Sequence, residues 1–377
     1  MIYTGNNKNL KIEAYEPCPC HPDKKFKFCC YQKAREDNSF SNHKDSSIGR
    51  VNHLLRTEFA KTDFKICFGF DKTECKGPIK GAHTIQNNRI LDRLSDNGHL
   101  YHFSTEVVKE GRPPEAIIKQ VSRNTASTFF GFCDFHDTEL FKPIELKEYS
   151  GEAIQDFLFA FRSLALELHR KNRMLSIVKK MFLDRPKLML DEQHVYMYRL
   201  AKVDVEDHMF EYNNFKEKYI SNQYDILRTV YRKLDYEVKF ATSASFAVQH
   251  NLNGEMINDT FNLRADRIPS IFVTVYPTKN GTTDILISHL LTDNSVYKSY
   301  FDLLETLDNE AFLKYLNYLI IESTENVFFS PSYIEQLSDM ERNSLVRSYN
   351  SSLNVLERID LLSSGNYYNF NLFQLAP

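Results

Sequence analysis

Four cysteines in one short segment limit what the start of this chain can fold into: Cys18, Cys20, Cys29 and Cys30 lie within EPCPCHPDKKFKFCC. A segment of this size cannot bury a core of its own. Metal binding would supply its folding free energy, on the order of 10 kcal/mol in small zinc peptides. Four thiolates satisfy the tetrahedral preference of zinc. The sequence therefore predicts a structural Zn²⁺ ion on these four sulfurs.

The same segment resembles the SEC-C motif, a short zinc-binding tail best known from the bacterial preprotein translocase motor. The match consists of Pro-Cys-x-Cys, the Lys-Lys-aromatic-Lys stretch from Lys24 to Lys27, and the Cys-Cys pair. His21-Pro22-Asp23 replaces the usual Gly-Ser-Gly turn. In that family the motif docks onto proteins or ribosomes. The resemblance thus implies a partner-binding role, with the lysines as the contact face.

The remaining three cysteines, Cys67, Cys75 and Cys133, fall in two further patterns. We expect the first two on a β-hairpin knuckle and Cys133-x-x-His136 at the start of a helix. Together these four side chains make a Cys3His set, which predicts a second structural Zn²⁺ ion. The alternative is that the three cysteines are ordinary small buried apolar residues.

The order of these elements resembles the treble-clef module of HNH nucleases. That order is a knuckle, a strand with a histidine, a helix, and a second knuckle that opens a helix. The resemblance implies that His83 is the general base and that Asp137 holds a catalytic Mg²⁺ or Mn²⁺ ion. It also implies that Asn88, or its neighbour Asn87, orients the base or the substrate. His136 would hold the catalytic ion only if it is not a zinc ligand.

The chain departs from the HNH pattern where many members carry a metal-binding Asp or His, since Ala82 precedes the strand histidine. The second knuckle is Cys-x-x-His-Asp rather than Cys-x-x-Cys-His. Other interpretations therefore remain open. In one, His83 is a zinc ligand in place of His136. In another, His83 is a strand histidine bonded to the backbone. For Asp137, the alternative is that it is a helix N-cap.

Charge is distributed unevenly along the 377 residues, whose net charge is −3. Residues 1–125 hold 21 Lys and Arg against 15 Asp and Glu, an excess of +6 that leaves −9 on the remainder. A basic, metal-rich segment can contact phosphates, although most surface charge only solvates a protein. No apolar run of about 18 residues occurs, so we expect no membrane span. With seven cysteines as metal ligands, we expect a reducing, cytoplasmic location.

The expected fold class is α+β, with small zinc-stabilised N-terminal modules, a helical middle and a C-terminal α+β domain that contains a β-hairpin. The expected parts are a SEC-C-like module (1–35), a linker (36–50), a treble-clef, HNH-like module (51–148), a helical region (149–235) and an α+β domain of unknown role (236–377). Residues 191–234 read as one long helix, or two with a break at Asn213-Asn214. Strands 271–276 and 283–289 flank the Asn280-Gly281 turn, a good hairpin signal.

Two functions follow as hypotheses. The first is a nucleic-acid-directed, HNH-like metal-dependent endonuclease of a toxin or bacterial phage-defence kind, which cleaves DNA or RNA with His83 as base. The alternative is a non-catalytic, zinc-stabilised adaptor that binds protein or nucleic acid. A sensor whose C-terminal domain binds a ligand is a third option without residue-level support. The sequence does not indicate an oligomeric state.

Overall fold

A computed structural model describes residues 10–37, 57, 63–109, 115–260, 263, 266–351 and 370–373. The chain forms two compact units. The first unit contains Met1–Phe64, Leu168–Met209 and Phe261–Asp266, and the second contains Lys65–Glu167, Phe210–Thr260 and Arg267–Pro377. Most of the predicted linker, 36–50, lies outside the described residues. The five-part division inferred from the sequence stays a prediction.

The described residues form a mixed helix-and-strand fold, as expected. The helices are α1 (Tyr31–Glu36), α2 (Asp92–Leu94), α3 (Asp134–Leu140), α4 (Lys142–Glu145), α5 (Ala153–Asp184), α6 (Glu192–Ile220), α7 (Asn294–Thr306), α8 (Asn309–Ser323), α9 (Pro331–Gln336) and α10 (Asp339–Ser351). Short 3-10 turns span Phe26–Phe28, Lys72–Glu74, Pro186–Leu190 and Leu291–Asp293, and a π-helical turn spans Asn87–Leu91. No described helix is long and apolar enough to cross a membrane.

The strands of the described residues belong to three antiparallel sheets. They are β1 (Pro17–Cys18), β2 (His21–Lys25), β3 (Ile79–His83), β4 (His99–Glu106), β5 (Glu115–Ser122), β6 (Thr128–Cys133), β7 (Leu227–Leu234), β8 (Phe240–Phe246), β9 (Ile271–Pro277), β10 (Thr283–Leu290) and β11 (Val327–Phe329). Strands β1 and β2 pair in the first unit, and β3 pairs with β6 in the second. The large sheet has the order β5-β4-β11-β8-β9-β10-β7.

The large sheet is the centre of the second unit and is covered on both faces. Strands β9 and β10 are buried at every position. On one face, apolar side chains such as Val273 and Ile285 pack with Phe301 and Phe312 of α7 and α8. On the other face, Leu286 and its neighbours pack with Leu100 of β4 and with Ile85, which follows β3. A sheet buried on both faces loses the simple alternation of apolar and polar residues.

The predicted hairpin is confirmed, because β9 and β10 pair from Ile271↔His289 to Pro277↔Thr283. Its turn places Gly281 at φ +74°, a left-handed conformation that glycine adopts without steric cost.

The predicted helical run from 191 to 234 is wrong at its C-terminal end, because residues 227–234 form β7 instead of helix. Of the two alternatives for the rest, the single helix is observed, since α6 continues unbroken through Asn213-Asn214 to Ile220. Strand β7 pairs with β10 along its whole length, from Leu227↔Leu290 to Leu234↔Thr283. Pairing with the distant strand β10 thus decides the structure of residues whose local sequence pattern is compatible with a helix or with a strand.

Candidate metal centres

The sulfurs of the first cysteine group converge within the first unit. The distances between Sγ atoms are 3.2 Å for Cys18–Cys20, 3.6 Å for Cys20–Cys29, 3.0 Å for Cys20–Cys30 and 3.7 Å for Cys29–Cys30. A regular tetrahedron with Zn–S bonds of about 2.3 Å has edges of about 3.8 Å, so the observed cluster is slightly tighter. The four thiols could hold a metal ion, and their chemistry is consistent with structural zinc.

Local structure brings these four sulfurs together. The short β1–β2 pair folds the chain back between Cys18 and His21. The backbone N–H groups of Cys29 and Cys30 then both donate to the carbonyl oxygen of Phe26, just before α1 begins. Two turns therefore deliver one pair of thiols each, as the spacing predicts.

The first cysteine group also has an apolar cover, which the sequence analysis did not foresee. Phe26 is buried with Cys18 and Cys30 against Val178 and Phe182 of α5 and against Leu188 and Met189 in the following 3-10 turn. All these residues belong to the first unit, so apolar packing is a source of stability for the segment that does not depend on metal. The expectation that metal binding alone would stabilise it is corrected.

A fifth donor lies beside the first cysteine group. Nδ1 of His21 is 3.2 Å from Sγ of Cys20 and 3.6 Å from Sγ of Cys29, and the side chain is exposed. The sequence analysis treated His21 only as part of the turn. A histidine directly after Cys-x-Cys is the signal that could have identified it.

Crowding of the sulfurs makes full ionisation of the first group unfavourable without a cation. Burial raises the pKa of the Cys30 thiol to about 11, and burial together with the neighbouring sulfurs raises the pKa of Cys20 further. A divalent cation would supply the positive charge that several close thiolates require. The donor set therefore fits a soft divalent ion.

The second group converges in the second unit and has tetrahedral dimensions. Nδ1 of His136 lies 3.2 Å from Sγ of Cys133, 3.4 Å from Sγ of Cys67 and 3.7 Å from Sγ of Cys75. Zn–S bonds of about 2.3 Å and a Zn–N bond of about 2.0–2.1 Å predict S···N distances of about 3.6 Å. These four side chains could also hold a metal ion.

Backbone hydrogen bonds orient the second group. The N–H groups of Gly69 and Cys133 each donate to Sγ of Cys67 at 3.4 Å. Lys72 Nζ donates to the carbonyl oxygen of Cys67 and brings positive charge close to the thiols. Such outer contacts fix the direction of metal ligands and offset the charge of thiolates.

Gly69 is required by the close approach of His136. A Cβ atom at position 69 would lie 2.3 Å from Cγ of His136 and 2.6 Å from its Nδ1. Only a residue without a side chain leaves room for the imidazole at this point.

The expected β-hairpin knuckle at Cys67 and Cys75 is not observed. The backbone around Cys67 instead bonds to β6, since Ile66 N–H donates to Phe130 and Phe68 N–H donates to Gly131. Cys75 follows the 3-10 turn Lys72–Glu74. The second knuckle has the expected form, because α3 begins directly after Cys133.

His83, at the end of β3, lies outside the second cysteine group, so it does not replace His136 there. Burial lowers the pKa of His83, and hydrogen bonds to the backbone of Arg123 and Asn124 oppose that shift. Its Nε2 atom is buried and has no hydrogen-bond partner among the described residues. Nε2 of His83 is therefore available to accept a proton.

Asp137 is not the helix N-cap, because Cys133 occupies that position and Asp137 lies in the first turn of α3. Its Oδ1 atom is buried without a hydrogen-bond partner in the described part of the chain. Burial raises the pKa of Asp137. Arg162 and Glu145 act electrostatically on both Asp137 and His83, so the four side chains share one neighbourhood.

Arg162 and Glu145 are the charged residues that the sequence analysis missed. Arg162 is almost fully buried on α5, donates to Glu145 and lies 4.3 Å from the ring centroid of Phe141. Its Nε atom has no partner in the described residues. No local motif marks this arginine, since it comes from a distant helix.

The two candidate asparagines differ in placement. Asn88 is exposed. Asn87 is partly buried, donates through Nδ2 to Oδ1 of Asn124 at 3.4 Å, and keeps a buried Oδ1 without a partner in the described residues. Of the two, Asn87 offers an inward-facing polar atom.

Within the part of the chain that the structure describes, the two cysteine groups are the places where three or more Cys, His, Asp or Glu donors converge. His83 and Asp137 do not belong to a third group of this kind. Comparison with protein-family models, with curated proteins and with solved structures found no match. The resemblances to SEC-C and HNH modules therefore depend on the residues quoted above.

Proposed function

We propose that this chain is a zinc-binding protein with a nucleic-acid-directed role, and that its second unit is an HNH-like endonuclease with His83 as general base. Both Cys/His groups are structural zinc sites in this proposal. One observation carries it: the imidazole of His83 presents a buried Nε2 atom that has no hydrogen-bond partner among the described residues. A ring nitrogen without a partner is available to accept a proton from water.

The neighbours of His83 support a role on phosphodiesters. The guanidinium of Arg162, which is paired with Glu145, supplies positive charge near His83, and Asp137 brings a carboxylate oxygen without a partner in the described residues to the same neighbourhood. Asp137 would hold Mg²⁺ or Mn²⁺, which polarises the phosphate when bound. His83 accepts the proton of the attacking water, and Asn87, rather than the exposed Asn88, orients it.

A cleavage assay tests this proposal directly. The zinc-loaded protein is incubated with DNA and RNA, single- and double-stranded, in Mg²⁺ or Mn²⁺. We expect cleavage that falls at least 100-fold in His83→Ala, the usual contribution of a general base, while two zinc ions per chain are retained. His99→Ala is the matched control, because His99 is exposed on β4. Undiminished cleavage by His83→Ala, or no cleavage of any substrate, would overturn the proposal.

A second candidate, the non-catalytic adaptor, is favoured by an exposed aromatic face on the first cysteine segment. Tyr15 is 61% exposed and Phe28 is 70% exposed, with their rings 6.4 Å apart. Lys25 and Lys27 lie 5.2 and 5.4 Å from the Tyr15 ring centroid. Exposed aromatic rings can stack on the bases of a single-stranded nucleic acid, and the adjacent lysines can attract its phosphates.

The adaptor proposal predicts binding without turnover. Fluorescence anisotropy with labelled single-stranded RNA should show binding that Tyr15→Ala and Phe28→Ala weaken, with zinc content unchanged. Met256→Ala is the control, since it removes another exposed apolar side chain from the second unit. Equal binding by all three variants would contradict this use of the face.

A further inference from the structure

The second unit contains a cavity of about 310 Å³ that neither resemblance explains. Strands β8, β9 and β10 form its floor, and the wall comes from α5 and from the residues that follow β3 and α4. Sites for small molecules begin at about 300 Å³. The volume is therefore sufficient for a small organic ligand.

The floor of the cavity is polar although it is buried. Ser243, Thr274 and Asp284 come from three neighbouring strands, and each is at most 6% exposed. Asp284 accepts a hydrogen bond from Tyr231 Oη at 2.8 Å. The hydroxyls of Ser243 and Thr274 make no hydrogen bond to any residue that the structure describes. Neither oxygen is among the fully buried polar atoms of the described residues that lack a partner, so both hydroxyls face the open space of the cavity, where a ligand can bond to them.

One wall of the cavity is aromatic. The rings of Phe159 and Tyr276 stack with centroids 5.5 Å apart and planes 24° apart, and Tyr149 lies on the same side. A flat ring is the ligand part that packs well against such faces.

The mouth of the cavity is basic. Lys147 and Lys279 also line the cavity and are at least 60% exposed at their side chains. Glu148 is already paired with Arg89 at 2.7 Å and with Lys279 at 3.1 Å. Of the other lining cations, Arg93 is paired with Glu237 and Arg162 with Glu145, so these two add no free positive charge. An anionic group at the mouth would meet the charge of Arg89 and Lys279 that their shared partner Glu148 does not balance.

We propose that this cavity binds a mononucleotide. The base lies against Tyr276, its polar edge bonds to Thr274 and Asp284, and the phosphate lies at the mouth near Lys279. A nucleotide combines the three features that the cavity selects, which are a flat ring, hydrogen-bond donors and acceptors, and negative charge. The cavity shares Arg162 with the neighbourhood of His83. The nucleotide contacts proposed here use neither His83 nor Asp137, so either proposal can fail without the other.

Isothermal titration calorimetry tests the site with the full-length, zinc-loaded protein. The probes are the four common ribonucleoside 5′-monophosphates, the matching nucleosides and inorganic phosphate. We expect at least one nucleotide to bind, its nucleoside to bind about tenfold more weakly or less, and phosphate to bind least. Thr274→Val, which keeps the shape but removes the hydroxyl, and Asp284→Asn should each weaken nucleotide binding about tenfold.

Surface variants distinguish a specific effect of the lysine at the mouth from a nonspecific effect of surface charge. Lys279→Ala should weaken the binding of the nucleotide but not the binding of the nucleoside. Lys298→Ala is the matched control, because Lys298 is equally exposed on α7 and does not line the cavity. Three results would overturn the proposal: no binding of any mononucleotide, unchanged binding in Thr274→Val and Asp284→Asn, or phosphate binding as tight as nucleotide binding. Circular dichroism confirms that each variant is folded.

Discussion

The glycine at position 69 offers the sharpest test of the second metal centre. In Gly69→Ala, the new Cβ would lie 2.3 Å from Cγ of His136. Ordinary contact begins at about 3.4 Å. The imidazole or the backbone of the Cys67 segment must then move by roughly 1.1 Å. Metal–ligand distances tolerate only about 0.2 Å, so the substitution displaces the histidine ligand.

The expected loss can be worked out from that displacement. Disturbing even an outer contact of a zinc ligand costs 10- to 100-fold in metal affinity. We expect at least 100-fold here, which is about 2.7 kcal/mol. For a protein part of this size, 1 kcal/mol corresponds to roughly 2–4 °C. The unfolding transition of the second unit should fall by roughly 5–11 °C.

Metal content and calorimetry measure the two effects together. After dialysis against a mild chelator, Gly69→Ala should keep one zinc per chain where the unaltered protein keeps two. Gly81→Ala is the matched control, since its Cβ would meet Thr128 at an ordinary 3.4 Å. If Gly69→Ala retained two zinc ions and melted at the same temperature, His136 would not be a ligand and the Cys3His site would be refuted.

Three further predictions test other parts of the structure. Cys20→Ser should remove one zinc ion and leave the second site loaded, as metal analysis of the variant will show; loss of both ions would mean that the sites are not independent. Nuclease activity should keep its plateau at pH 7 and fall only below about pH 6.5, because burial depresses the pKa of His83 and the neutral base persists to lower pH; an acid limb above pH 7 in the pH–rate profile would contradict this role. Phe182→Ala should destabilise the first unit by about 3–5 kcal/mol in denaturant titrations, whereas the exposed neighbour Leu183→Ala should change it little.

The cysteine pattern made the two donor sets visible in the sequence because their spacing is short. Cys18 and Cys20, or Cys133 and His136, lie within one turn of each other, and local geometry alone brings such pairs together. The hairpin at Gly281 was visible for the same reason. In the first group and in the hairpin the decisive contacts join residues that are close along the chain. In the second group Cys67 and His136 are 69 residues apart, and their convergence was inferred from the type and number of the donors.

Longer-range features could not be predicted in this way. Strand β7 was read as helix because its pairing partner, β10, begins about fifty residues later. Strand β4 pairs with β11, which lies more than two hundred residues further along the chain, and no local sequence periodicity predicts this pairing. Arg162 reaches the neighbourhood of His83 from another element, and only the folded chain shows that the two share charged neighbours.

The apolar cover of the first cysteine group has a consequence for synthesis on the ribosome. The sulfurs leave the exit tunnel early, but Phe182 and Met189, which pack against them, are translated some 150 residues later. At 5–20 residues per second this delay is roughly 8–30 s. If the four thiols bind zinc as proposed, the metal holds the nascent segment together during that interval, and a cell short of zinc would expose the thiols before their apolar cover is made.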